Sequence, residues 1–544
     1  MRFVCKKRAS GAVALFVLIL VVVAVLLRAA ILKYQYYFGM YHDDGVYLVS
    51  AQSLAQGLGY RILSLPGEPF QTKYPIGYPF LLSLALRLCP AFPANLVTLE
   101  TLQVIISALA VLISVAYLIS TRKVTLRLGF VIAAATLLNM RFIDFAPMLM
   151  SDLPSALLAA VCMWCAESHG RRRGSYAPWT ALWLVAAVSM RTQAIILIPS
   201  LIIYYAARKQ LKSIVPILLA AVAFIAPQLW WQSQFSNGTP EILTFYTNYL
   251  KHAYGTLPPA AAGFAAGSGN FHWSMILQIN TYFPGLEQIP YEKLPPLAFF
   301  LLYSVFYYLL AVPSLTGLFI LLRRASLPAL YCFFYGLSFS VWPIKLEWRH
   351  ILPVIVFGYY FYFVGFRFWF FKLKVFTKLS APKLHKIGVC ASLLFACYLV
   401  IGAGLLSCAK AGWSKVLAYP AEPETFSDFR DTVAWVKENT PPDSVFVCNN
   451  DPVFYLYTGR HAIMPSRMEL WRFVEDRYVD TDSLRKAIDF SHADYVVNEP
   501  AYRSSGFSYI QLGRVITDLQ RLRSGSFPCV FESKEKLVRV FKVE

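Results

Sequence analysis

Two adjacent carboxylates, Asp43 and Asp44, sit in the run Tyr41-His42-Asp43-Asp44-Gly45-Val46-Tyr47, where a helical pattern begins. A positioned carboxylate is a proton acceptor, but acids are also what a helix start prefers, as caps and as partners of the dipole. Taken alone, the pair reads more readily as a helix start. Asp152, in Ser151-Asp152-Leu153-Pro154, has the same two readings, with Pro154 suited to a first helical turn. Lys73 precedes Tyr74-Pro75-Ile76-Gly77-Tyr78-Pro79, and Lys345-Leu346-Glu347-Trp348-Arg349-His350 supplies a second cation and another acid. Lys73 could also merely snorkel to headgroups and Arg349 anchor a helix end. The acids are conspicuous because acids are scarce here: only 11 of the chain's 30 Asp and Glu lie before residue 409. If these acids and cations meet at one membrane face, they suit acid–base chemistry on an anionic substrate held in the lipid.

Those residues need a scaffold, and composition says what kind. Of 544 residues 57% are hydrophobic and 15% charged, against roughly 25% charged in soluble domains. Apolar blocks long enough to cross a bilayer recur, so the chain reads as a polytopic membrane protein. Disorder, collagen-like repeats and a disulfide-stapled mini-protein are excluded. The blocks are 11–27, 95–120, 128–143, 152–168, 178–190, 194–207, 214–232, 297–322, 326–343, 350–371 and 387–408, about eleven transmembrane helices. The first is read as an uncleaved helix rather than a signal peptide, since no small-residue cleavage site follows it before Arg28.

The net charge of +20 is topological. Six acid-free segments carry 20 Lys and Arg: 2–8, 122–127, 171–173, 208–212, 323–324 and 372–386. Alternating the blocks from a cytoplasmic N-terminus puts all six inside, as the positive-inside rule requires, and no nucleic-acid partner is implied. The acids then fall outside or near outer helix ends, except Glu167. The block Tyr74–Leu88 is short and opens on Pro75 and Pro79, so it is expected to lie in the first external loop as an interfacial or re-entrant piece. Loops 33–94 and 233–296 are external; the second, rich in Gly, Pro and aromatics and holding His252 and His272, suits a lid.

The domain division is therefore 1–408, transmembrane, and 409–544, a small extracytoplasmic α/β domain. The latter holds the other 19 acids. A helix is expected over 426–439, strands at 444–448 and 494–498, and a closing hairpin over 528–543. Cys448 and Cys529 are candidates for a disulfide if this domain faces an oxidising compartment. Cys162 and Cys165 have CxxC spacing but lie in an apolar helix, where packing is the better reading.

The order of the acidic pair with Tyr47, the Lys73-Tyr74-Pro75 segment, Ser151-Asp152 and Arg349-His350-Ile351-Leu352-Pro353 resembles the GT-C superfamily of polytopic glycosyltransferases. Within it, the bacterial aminoarabinose transferase and protein O-mannosyltransferase group is most similar. The resemblance implies an inner-membrane enzyme moving a sugar from a polyprenyl-phosphate donor to a cell-envelope acceptor: lipid A, another glycolipid or a polysaccharide. Asp43 takes the place of the family's catalytic acid and would accept the acceptor's proton. Asp44 would orient it or bind donor hydroxyls, Lys73 and Arg349 would bind the donor phosphate, and displacement would invert the anomeric centre. Tyr47, Asp152 and Glu347 are candidate substrate contacts. A divalent cation on Asp43, Asp152 and Glu347 is conceivable, as in oligosaccharyltransferases, but related monosaccharide transferases need none, so no cofactor is expected. Two departures, Asp44 where several relatives have Glu and His350 where an aromatic is usual, bear on the sugar. The alternatives are a protein acceptor with the same donor, and a lipid-linked sugar transporter, which the lack of internal repeats and the one-sided acids disfavour.

Overall fold

The computed structural model describes residues 38–39, 41–137, 139–169, 177–236, 240–248, 296–340, 348–377, 424–465, 481–498, 516–517, 520 and 527–544. The helices are α1 His42–Ala55, α2 Gly77–Leu88, α3 Leu96–Ser120, α4 Leu126–Leu137, α5 Asp152–His169, α6 Ala177–Met190, α7 Leu197–Ala207, α8 Ile214–Phe235, α9 Pro296–Leu322, α10 Leu327–Ser340 and α11 Ile355–Thr377. Nine of the expected apolar blocks fall on these helices; 11–27 and 387–408 lie outside the described residues. This is a multi-pass membrane architecture. Leu96–Ser120, Leu211–Phe235 and Leu352–Lys372 are each long and apolar enough to cross a bilayer. Shorter apolar helices include Leu126–Leu137, Ala177–Met190 and Thr192–Ala207, and Ala311–Leu322 with Leu327–Phe339 forms a pair bent by 118°.

One block is not continuous. The run expected over 128–143 breaks, and Asn139 restarts it as the short helix Met140–Phe145, its side chain accepting the N–H groups of Arg141 and Phe142 at 3.0 and 3.2 Å. Hydropathy cannot show this, because the new cap stands inside an apolar stretch. Elsewhere packing is close. A Cβ on Gly317 of α9 would fall 1.9 Å from the Phe361 carbonyl oxygen, and one on Gly365 of α11 1.8 Å from that of Pro313. Two glycines thus let these helices touch backbone to backbone, the small-residue packing that membranes favour. Glu167, the acid that topology left out of place, is paired with Lys123.

The helix α2 has 12 residues, about 18 Å, too short to cross a hydrocarbon core of about 30 Å. Ile76, Phe80, Leu84 and Leu88 are exposed at intervals of four along it, an apolar stripe that suits a helix lying in the membrane interface.

The C-terminal part contains α12 Glu424–Asn439, α13 Asp451–Thr458 and α14 Thr481–Ser491 around five strands. These are β1 Val445–Val447, β2 His461–Ile463, β3 Tyr495–Asn498, β4 Cys529–Glu532 and β5 Arg539–Lys542, in the order β2-β1-β3-β5-β4. β1 is parallel to β2 and β3, while β5 is antiparallel to β3 and β4. The expected helix, both strands and the hairpin are all present. Cys448 and Cys529 are free thiols. The first follows β1 and the second is on β4, three strands away, about 14 Å at normal strand spacing and beyond disulfide reach. The domain is not loosely appended. Val447, Ile463, Leu484 and Val496 share one core with Val49 of α1, Ile62 and Leu65 of the following loop, and Phe245 and Tyr246. The boundary expected near residue 408 lies outside the described residues.

Candidate functional site

Asp43 is the second residue of α1. The cap position belongs to Tyr41, which makes no side-chain capping bond, so Asp43 is not the helix cap that its position first suggests. Its carboxylate turns to other elements. Tyr74 donates its hydroxyl to Oδ1, and Arg349 donates from Nη1 to Oδ2 at 3.3 Å. The side chain stays 25% accessible, enough for a small group to reach it.

Each partner is itself positioned. Arg349 lies in the 3₁₀ turn Trp348–His350, with its guanidinium 4.5 Å from the Tyr41 ring centre, and Tyr335 donates to the His350 carbonyl at 2.8 Å. Lys73 lies where Gln71 Oε1 accepts its backbone N–H at 2.9 Å. From α8, Trp231 and Gln232 bind the carbonyls of Gln71 and Thr72 at 2.9 and 3.0 Å. The Lys73 ammonium rests 4.0 Å from the centre of the Phe245 ring and 4.8 Å from that of Tyr74, the cation over aromatic faces.

Burial pushes the Asp43 carboxyl upward, but Lys73, Arg349, the Tyr74 hydroxyl and His42 outweigh it and hold it below the usual carboxylate range. Burial also pulls the Lys73 ammonium down to about 8, against the attraction of Asp43 and with repulsion from Arg349. Two cations and a phenol therefore converge on one accessible carboxylate.

Asp44 does something else. It is fully buried, and its oxygens accept the backbone N–H groups of Gly39 and Gly45, each at 2.8 Å. Burial lifts its carboxyl to about 8 while these amides oppose the rise. A carboxyl so engaged shapes the turn into α1 rather than facing a sugar, and the expectation that it binds donor hydroxyls does not match this placement.

Tyr47, one turn beyond Asp43, packs its ring tilted against that of Tyr74, centre to centre 4.7 Å, and shares a hydrogen bond of 3.0 Å with Ser151 Oγ. Arg191 bonds Ser151 Oγ at 3.3 Å and Asp152 Oδ2 at 2.8 Å. Asp152 is fully buried, so it is the inner half of an ion pair rather than an open ligand. Removing one partner of such a pair strands the other's charge. Asp152→Ala should therefore lower the stability of the purified protein by about 3 kcal/mol, read as a fall in its thermal transition in detergent. An unchanged transition would mean that the pair is not structural.

Asp43, Lys73, Tyr47 and Arg349 are thus brought together, Asp152 stands one link behind Tyr47, and Glu347 lies outside the described residues, as do His252 and His272. Of the three carboxylates considered for a divalent cation, the two described have other partners, Asp43 with Tyr74 and Arg349 and Asp152 with Arg191. Among the described residues no three His, Cys, Asp or Glu could share a metal. Residue types and spacing did not single out Tyr74, His42 or Arg191 for the site. Tyr74 stood next to Lys73 in the segment Lys73-Tyr74-Pro75, and Arg191 belonged to no motif.

No protein-family model matches the chain, and no curated protein matches it in sequence. Solved structures do. The chain is similar to ArnT from Cupriavidus metallidurans bound to undecaprenyl phosphate, at 13% identity and a TM-score of 0.55, with 97% of each chain covered. The apo form of that protein aligns at 14% identity and a TM-score of 0.53 over 98% of each chain. An oligosaccharyltransferase from Archaeoglobus fulgidus, in complex with Zn and sulfate, aligns at 14% identity and a TM-score of 0.51, over 88% of this chain and 67% of that one. The chain has the GT-C fold.

Proposed function

We propose that this chain is a glycosyltransferase that moves a sugar from a polyprenyl-phosphate carrier to a cell-envelope acceptor at the external face of a bacterial inner membrane. The observation that carries the reading is the convergence of Lys73, Arg349 and Tyr74 on the accessible carboxylate of Asp43. The fold likeness to a protein crystallised with undecaprenyl phosphate supports the same chemistry.

The acceptor hydroxyl attacks the anomeric carbon, and its proton goes to Asp43. The bond from that carbon to the phosphate oxygen breaks as the new one forms, and the electron pair leaves on the phosphate. Arg349 and Lys73 stabilise the charge that builds there, and a single displacement inverts the centre. Because the leaving group is already a phosphate, no second acid is needed, unlike glycoside hydrolysis. The two cations lower the basicity of Asp43. When the phosphate engages them, that suppression weakens and the base strengthens where it is needed.

The test is a transfer assay with purified protein, radiolabelled short-chain polyprenyl-phosphate sugars and envelope extract. Label should leave the lipid for an acceptor fraction while free polyprenyl phosphate accumulates. Flux of intact lipid-linked sugar through proteoliposomes without covalent transfer would overturn the reading. A pH signature follows from Lys73. Its ammonium is lost as pH rises through about 8, so the KM for donor should rise above that pH. Lys73→Arg, which keeps its charge, should remove the rise. A donor KM flat to pH 10 in the wild type would remove Lys73 from the phosphate site.

A further inference from the structure

We propose that Asp451, a residue of the C-terminal domain, is a positioning residue of the candidate active site, which makes this domain a working part of the transferase. This rests on the assignment of Asp43 above. Asp451 is completely buried at the start of α13. Its Oδ1 accepts from His42 Nε2 and from the Tyr246 hydroxyl, both at 2.8 Å, and its Oδ2 accepts from Ser64 at 3.2 Å.

Each donor belongs to a segment that carries or flanks a site residue. His42 immediately precedes Asp43. Tyr246 follows Phe245, the ring on which the Lys73 ammonium rests. Ser64 is in the loop that leads to Lys73, and its own carbonyl accepts the Ala462 N–H of β2 at 2.8 Å. One carboxylate of the C-terminal domain thus ties together three segments that sequence separates by up to 204 residues on its partner side, the span from His42 to Tyr246.

The neighbours of Asp451 grip the same turn. Asn450 donates to the Gly39 carbonyl at 2.9 Å, while the Gly39 N–H goes to Asp44. Pro452 packs so closely on Gly45 of α1 that a Cβ there would come within 2.8 Å of its ring. The entry to α1 is held from both sides by residues 450–452. An acid at a helix start needs none of this, since its dipole partner is its own helix. With its Nε2 bound to a carboxylate, the His42 ring is fixed in orientation, as carboxylate–imidazole pairs are elsewhere.

The experiment compares the full-length wild type with D451L, D451N and H42F. Two readouts are used: hydrogen–deuterium exchange over residues 38–47 and 60–74, and steady-state transfer. D451L should speed exchange in those two segments about tenfold, without change in α3 or α5, because it loosens them locally. It should lower kcat about 10²-fold, the scale for a misplaced catalytic group, while the donor KM, which depends on Lys73 in the second segment, rises far less than kcat falls. D451N, which keeps an acceptor for His42 and Tyr246, should retain most activity. The H42F/D451L double variant should lose no more than the worse single one, since both break the same contact. Unchanged exchange in D451L, or additive losses in the double variant, would overturn the proposal. If D451L does not fold, H42F and Y246F each delete one donor to the same carboxylate and must show the same local exchange. A wild type that transfers from no donor would sink the function assigned to Asp43, while the exchange data would still decide whether Asp451 holds the site segments.

Discussion

Asp43→Asn is expected to cut turnover about 10³-fold, within the range for loss of a general base and equal to about 4 kcal/mol of activation free energy. The substitution is close to isosteric, and the amide oxygen can still accept the Tyr74 hydroxyl. What disappears is the negative charge and the site for the proton. Donor binding should be kept or tightened, because Arg349 no longer divides its attraction between Asp43 and the phosphate. The pattern to look for is therefore a collapse of kcat with an equal or lower donor KM. Full turnover in the variant would reduce Asp43 to an acid that merely favours a helix start, and the proposed mechanism would fall with it. Raised KM at unchanged kcat would make it a binding group only.

How much of this was legible beforehand depended on contrast. Asp43, Lys73 and Arg349 stood out because ionised groups are costly in an apolar chain and are kept where they act. The same background made the helical bundle readable, down to the short apolar α2 that follows Pro75. Asp451 had no such contrast, being one acid among the 19 beyond residue 409. Its partner His42 lies 409 residues away, and no periodicity or spacing connects residues so far apart. Arg191, just past the end of α6, belonged to no motif, and only packing of α6 beside α5 reveals that it balances Asp152. Asp44 was misleading in a different way. It shares its neighbour's chemistry and position, yet consecutive residues on a helix face about 100° apart. One therefore points at the site and the other at the backbone of the preceding turn.

Arg349→Met should lower kcat/KM about 10²- to 10³-fold, the usual loss when a donor to developing charge is removed. It should also move the acid limb of the pH profile. Asp43 must be ionised to accept a proton, so activity falls as pH drops through its pKa. Lys73, Arg349, Tyr74 and His42 all lower that pKa, against burial, which raises it. Removing Arg349 deletes one of the lowering partners, so the acid limb of kcat/KM should shift to higher pH. The two effects have separate origins, one in the leaving group and one in the base, and a residue that only anchored a helix end would produce neither. Arg349→Lys retains a point charge without the planar fork and should fall between the two, with a smaller shift of the limb. A large fall in rate with the acid limb unmoved would mean that Arg349 serves the phosphate alone, and that its 3.3 Å contact with Asp43 does not set the strength of the base.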